Sequence, residues 1–114
     1  MKEDDAIRMQ HMLDAAREAV SFLEGRARAD FDSDRKLVLA LVKSVEIIGE
    51  AAYRVSEMGK NQIPLIPWSE ICGMWHRLIH AYYNINLDIL WNTIHGDLPL
   101  LIAVLERAKE DGKW

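Results

Sequence analysis

The feature that most restricts what this chain can fold into is a helical period running along most of its 114 residues. From Ser33 or Asp34 toward Gly59, LVLALVKSVEIIGEAAYRVS sets Leu37, Leu41, Ile48 and Val55 on one stripe. Lys36, Lys43, Glu50, Arg54 and Glu57 follow a second, polar stripe at the same spacing. Either Ser33 or Asp34 can cap the free amides at the start of this longest helix. Upstream, Ile7, Met12, Ala15, Ala16, Ala19, Val20 and Leu23 recur at three- and four-residue steps, which predicts an amphipathic helix from Asp4 to about Gly25. The segment GKNQIPLIPW, with Gly59, Pro64 and Pro67, reads as the one substantial loop, and Pro67 or Trp68 opens a third helix that carries SEICGMWHRLIHAYY. A break at Asn84 to Asn86 precedes LDILWNTIHGDLPLLIAVLERAKE, a final helical stretch that Gly96 and Pro99 divide or kink.

No strand-like alternation, internal repeat or low-complexity segment competes with this pattern, so the expected fold is all-α. An antiparallel bundle of four to five helices, forming one domain over residues 1–114, is the natural way to bury the stripes. Half of the residues are hydrophobic, enough for one compact core at this length. Lys and Arg total 14 against 18 Asp and Glu, a net charge of -4 that does not suggest a broad basic surface for duplex nucleic acid. No DNA-binding motif is evident, and any RNA contact must be a local cleft. Cys72 is the single cysteine, which leaves no internal disulfide, and MKEDDAIRMQHML has neither the apolar core nor the cleavage site of a signal peptide. Charged residues interrupt every apolar run before membrane-spanning length. These features together predict a soluble, cytoplasmic protein with no membrane contact.

Chemistry is concentrated in the third helix, where Trp75, His76, Arg77, His80, Tyr82 and Tyr83 fall within nine positions. On a continuous helix His76 and His80 lie one turn apart on the same side, a pair able to hold a metal or to share proton transfer. The same two residues also fit a purely structural or surface role. No third ligand stands nearby in sequence, so neither a metal nor another cofactor is expected.

Three successive segments, IIGEAAYRVS, IPWSEICGM and RLIHAYYNINLDILWNTIHGDLPLL, resemble the motifs of the HepT-like toxins of the HEPN superfamily, over nearly the whole chain. The family's motif is an Arg, a polar residue, a short spacer, then His, one residue and Tyr. His80 and Tyr82 match its latter half and His76 its polar position, whereas Trp75 stands where the family has Arg. The resemblance implies a metal-independent endoribonuclease, the toxin half of a toxin–antitoxin pair, in which a 2′-hydroxyl attacks the adjacent phosphate and two motifs meet across a homodimer cleft. It further implies an MntA-like nucleotidyltransferase antitoxin that modifies the motif Tyr with AMP, which selects Tyr82, with Tyr83 as the fallback.

Each residue type has a physical task in such a site. A histidine can take the hydroxyl proton or return one to the leaving oxygen, and an arginine fork stabilises charge on the phosphate oxygens. Trp75 can do neither, and removing one preorganised charge donor costs on the order of a hundredfold to a thousandfold in rate. Reduced or lost activity is therefore expected. Arg77, three residues before His80, is a possible substitute for the missing guanidinium. On an ideal helix positions 75 and 80 stand about 140° apart, so one site using both requires a deformed helix or a second subunit.

Simpler readings stand beside these. His80 among Leu78, Ile79 and Ala81 fits a core histidine with a satisfied hydrogen bond, and Tyr82 and Tyr83 fit packing aromatics with a polar tip. Glu50 and Arg54 fit an exposed i, i+4 pair or the edge of the cleft. Trp68 and Trp91 read as core or interface anchors and Trp114 as part of a frayed terminus. Three functions follow in order of preference: an RNase toxin damped at Trp75, a catalytically inactive binding module still recognised by the nucleotidyltransferase, and a generic helical dimerisation protein.

Overall fold

The computed structural model describes residues 1–81 and 84–114, and at Trp75, Ile79, His80 and Ala81 the backbone alone. Two long helices, α1 (Glu3–Leu23) and α3 (Arg35–Arg54), pack along each other and contribute most of the core. Between them lies the single turn α2 (Asp30–Ser33). The chain then forms α4 (Glu57–Gln62), α5 (Trp68–Cys72), α6 (Met74–Leu78) and a strand pair, β1 (Ile79–Ala81) with β2 (Asn84–Ile85). It ends in a continuous helical body of α7 (Leu87–Asn92), a π-helical turn (Thr93–Asp97) and α8 (Leu98–Glu110). This is an all-α bundle whose main bodies are α1, α3, the α5–α6 pair and the C-terminal helix.

The predicted stripe of α3 is buried at Leu37, Leu41 and Ile48, and Val55 just beyond the helix is buried too. Asp34 caps α3 by accepting the Leu37 amide at 3.1 Å. Gly25 adopts φ 71° just past α1, the left-handed conformation that a residue without Cβ takes at little cost. In α1 the buried face includes Met9 and Leu13 besides the predicted Met12, Ala15, Ala16, Ala19 and Leu23, while Ile7 is exposed.

Four local expectations need correction. The helix expected to be the longest stops at Arg54 rather than running toward Gly59, which leaves α3 with 20 residues against 21 in α1: Val55 is extended and Ser56 starts α4, accepting the Gly59 amide on its hydroxyl. Gly59 therefore sits inside a helix. A Cβ there would lie 2.7 Å from Asp5 Oδ2 and 2.9 Å from Val55 Cγ1, so close approach to α1 selects glycine. The third helix is also not continuous. It breaks at Gly73 and ends at Leu78, whose carbonyl accepts the Asn86 amide at 3.0 Å as the chain enters the β1–β2 pair. Ile79 pairs with Ile85 and Ala81 with Asn84, with an irregularity between them. Lastly, Trp114 packs partly buried against the core, with Lys109 Nζ 5.1 Å from its ring centroid, so this terminal residue is held.

Asn86 caps α7 through the Ile89 amide at 3.0 Å, which fixes the break expected at Asn84 to Asn86. The Gly96–Pro99 kink takes the form of the π-helical turn. Pro99 has no amide to offer the His95 carbonyl and its ring crowds that carbonyl, and widening the preceding turn relieves both. Among the described residues no helix is long and apolar enough to cross a membrane.

Candidate active site

The polar stripe of α3 faces two hollows that share Glu46 and Glu50 as a common ridge. One, of about 300 Å³, is lined by Glu46, Gly49, Glu50, Tyr53, Cys72 and His76, and so lies between α3 and the α5–α6 pair. The other, of about 420 Å³, lies between α1 and α3 and is lined by Arg8, His11, Lys43, Glu46, Ile47, Glu50, Ala51 and Arg54. Local sequence explains the first hollow. Ile71, Met74 and Leu78 of α5 and α6 are buried in the core, which brings the exposed His76 alongside α3. There the three- and four-residue steps from Glu46 to Gly49, Glu50 and Tyr53 set one continuous wall.

The ridge carboxylates are each held from the α1 side. Arg54 Nε and Nη2 both meet Glu50 Oε1, at 2.9 and 2.8 Å, and Lys43 Nζ lies 3.7 Å from Glu46 Oε1. The exposed Glu50–Arg54 pair expected from the sequence thus exists, and Glu50 also borders the hollow that holds His76. All four side chains are about half exposed or more, so these pairs orient the carboxylates while adding little to stability. Tyr53 is 74% exposed beside them.

The site residues read from the sequence are only partly brought together. His76 lines the hollow against α3. Arg77, the next residue, lines a different groove of about 340 Å³ between the α5–α6 pair and α8, where its Nη1 donates to the Glu70 carbonyl at 3.0 Å. His80 lies on β1, not on the helix that carries His76, so the two residues are not one turn apart on a continuous helix. The 140° separation of positions 75 and 80 likewise belongs to a helix that stops before His80. The side chains of Trp75 and His80, and all of Tyr82 and Tyr83, lie outside the described residues. Among the described residues no group of three or more His, Cys, Asp or Glu side chains could hold a metal ion.

Sequence reasoning missed Glu46, Tyr53 and Cys72 as neighbours of His76. Tyr53 was detectable: it stands three residues after Glu50, on the same helical face, as an aromatic on an otherwise polar stripe. Cys72 carried no signal, because its position across from α3 depends on how α5 packs.

A helical bundle with a histidine-bearing segment set against the polar face of α3 defines the class of protein. The chain belongs to the ribonuclease HepT-like family, whose model matches residues 12–108. It is 35% identical over 97 residues to a Thermococcus cleftensis protein described as "Probable ribonuclease HepT", covering 82% of this chain and 88% of the relative. A candidate RNase of Caldanaerobacter subterraneus subsp. tengcongensis is 36% identical over 93 residues, covering 82% of this chain and 83% of the relative. A candidate RNase of Methanocaldococcus jannaschii is 28% identical over 110 residues, covering 96% and 91%. No solved structure matches the chain.

Proposed function

We propose that the chain is the toxin of a toxin–antitoxin pair: a metal-independent endoribonuclease of the HepT-like kind, with activity lowered by Trp75. The observation that carries this reading is the family match across residues 12–108, which spans the whole segment from Trp75 to Tyr82. In the proposed reaction the 2′-hydroxyl of one nucleotide attacks its own 3′-phosphate, the bond to the 5′-oxygen of the next nucleotide breaks, and a 2′,3′-cyclic phosphate forms. His80 takes the hydroxyl proton or returns one to the leaving oxygen, His76 serves as the polar partner at the cleft, and the cleft is completed by a second copy in a homodimer. Arg77 can replace the missing arginine only by releasing the Glu70 carbonyl. The partner antitoxin is an MntA-like nucleotidyltransferase that places AMP on Tyr82. The second reading, an inactive binding module of the same fold, is favoured by one observation, the Trp at position 75.

Trp75→Arg tests the two readings. It is expected to raise cleavage of a defined RNA by at least about tenfold in excess EDTA, because it restores a charge-assisted contact that acts mainly in the transition state. His80→Ala in that background should cancel the gain, since charge stabilisation without proton transfer is not enough. A Trp75→Arg protein no faster than the parent leaves the binding module as the better reading. Inhibition by EDTA would bring a metal back into the mechanism.

A further inference from the structure

The hollow between α3 and the α5–α6 pair combines an exposed aromatic ring, two carboxylates and a histidine from the motif segment, and this chemistry selects what can enter it. A phosphate group is disfavoured by Glu46 and Glu50 on the wall. A nucleobase is not. Tyr53, 74% exposed, offers a ring on which a base can stack, and single-stranded RNA is the nucleic acid whose bases are free to do so. The ion pairs to Arg54 and Lys43 engage Oε1 of each glutamate. The second oxygen of each carboxylate can accept a further hydrogen bond.

Guanine is the base with two adjacent donors on its pairing edge, N1–H and the exocyclic amine, which match a carboxylate fork. Adenine and cytosine pair one amine with a ring acceptor, and uracil flanks its single N–H with two carbonyls that a carboxylate repels. We propose that Glu46, Glu50 and Tyr53 form a base subsite beside His76 that holds guanine of a single-stranded RNA next to the phosphate to be cleaved. This rests on the ribonuclease reading and adds to it a substrate preference.

The test is equilibrium binding of fluorescein-labelled pentanucleotides with 2′-fluoro sugars, which lack the attacking hydroxyl and so cannot be cleaved. The central base is varied within an oligouridine frame, and binding is followed by fluorescence anisotropy. The guanine-centred strand should bind about fivefold or more tighter than the all-uracil strand. Tyr53→Ala should weaken that strand about fivefold or more, and Tyr53→Phe should keep its affinity, because the ring stacks and the hydroxyl does not. Glu46→Gln together with Glu50→Gln should remove the guanine preference and leave the all-uracil strand no weaker. Circular dichroism of each variant checks that the bundle is intact.

Equal binding of all four strands, no binding of any, or preference unchanged in the double glutamine variant overturns the subsite. If Tyr53→Ala halves the mass seen by light scattering, Tyr53 belongs to a subunit interface and the subsite is likewise overturned. RNA cleavage by Trp75→Arg without base preference would remove the subsite and keep the nuclease. Guanine-selective binding without cleavage by Trp75→Arg would keep the subsite on a protein that only binds RNA.

Discussion

Asp5 is a buried carboxylate in the first turn of α1, and it ties the two ends of the α1–α3 pair together. Its Oδ1 accepts the Ser56 amide at 2.9 Å and its Oδ2 accepts the Ser56 hydroxyl, which in turn accepts the Gly59 amide. Burial pushes its pKa upward, but the two Ser56 bonds, with help from Lys2 and Arg8, outweigh this and hold the carboxyl below its ordinary value. The depressed value fixes the sign of the pH dependence. The contribution is fully present above the unfolded-state value, near pH 4, and is lost as pH falls through the lower folded value. Asp5→Asn should cost about 1–3 kcal/mol in urea denaturation at neutral pH, because an amide can accept only one of the two Ser56 bonds. The acid limb of stability against pH should also flatten in that variant. An unchanged acid limb would mean that another carboxylate governs it. Gly59→Ala should destabilise as well, since its Cβ would meet Asp5 and Val55 at under 3 Å.

At the scale of the element, the start of α3 decides where the polar stripe and therefore the candidate site fall. Asp34 caps the helix on the Leu37 amide and is paired with Arg26, and these bonds hold its carboxyl below the usual range. Asp34→Ala removes the cap and is expected to cost about 1 kcal/mol, measured as a fall in thermal midpoint of several degrees. Asp34→Ser should recover much of the loss, because a hydroxyl also caps, whereas equal loss in both variants would assign the effect to Arg26. Much of this element was legible in the sequence: the apolar and polar stripes follow from one period, and the cap was narrowed to Ser33 or Asp34. Its end was not, because Val55 is itself apolar and continues the pattern by composition. What stops the helix is the Ser56–Asp5 contact across 51 residues, which no local pattern contains.

For the whole molecule, the buried hydrophobic residues from Met9 to Ala108 form one cluster among the described residues. Leu65 and Leu100, 80% and 69% exposed, flank the groove between the α5–α6 pair and α8, so apolar surface is left outside the core. A homodimer is expected, with each copy supplying part of the cleft that one motif does not complete. Multi-angle light scattering at tens of micromolar should give about twice the 13.1 kDa chain mass. A strict monomer at that concentration would remove the two-subunit cleft from the proposed reaction.

The sequence by itself determined the helical class, the buried stripes, a cap at Ser33 or Asp34, the breaks at Gly25 and Asn84 to Asn86, the irregularity at Gly96 to Pro99, and the motif segment. Each of these depends on interactions within about one or two turns of chain. Only the tertiary structure decided that the motif segment leaves its helix at Leu78, that His76 and Arg77 face different hollows, and that Tyr53 and Glu46 stand beside His76. Those outcomes depend on long-range events: the Asn86 amide taking the Leu78 carbonyl, and the packing of α5 and α6 on α3. Helical period sets which face of an element is apolar, but the partner that covers that face is chosen by the rest of the chain.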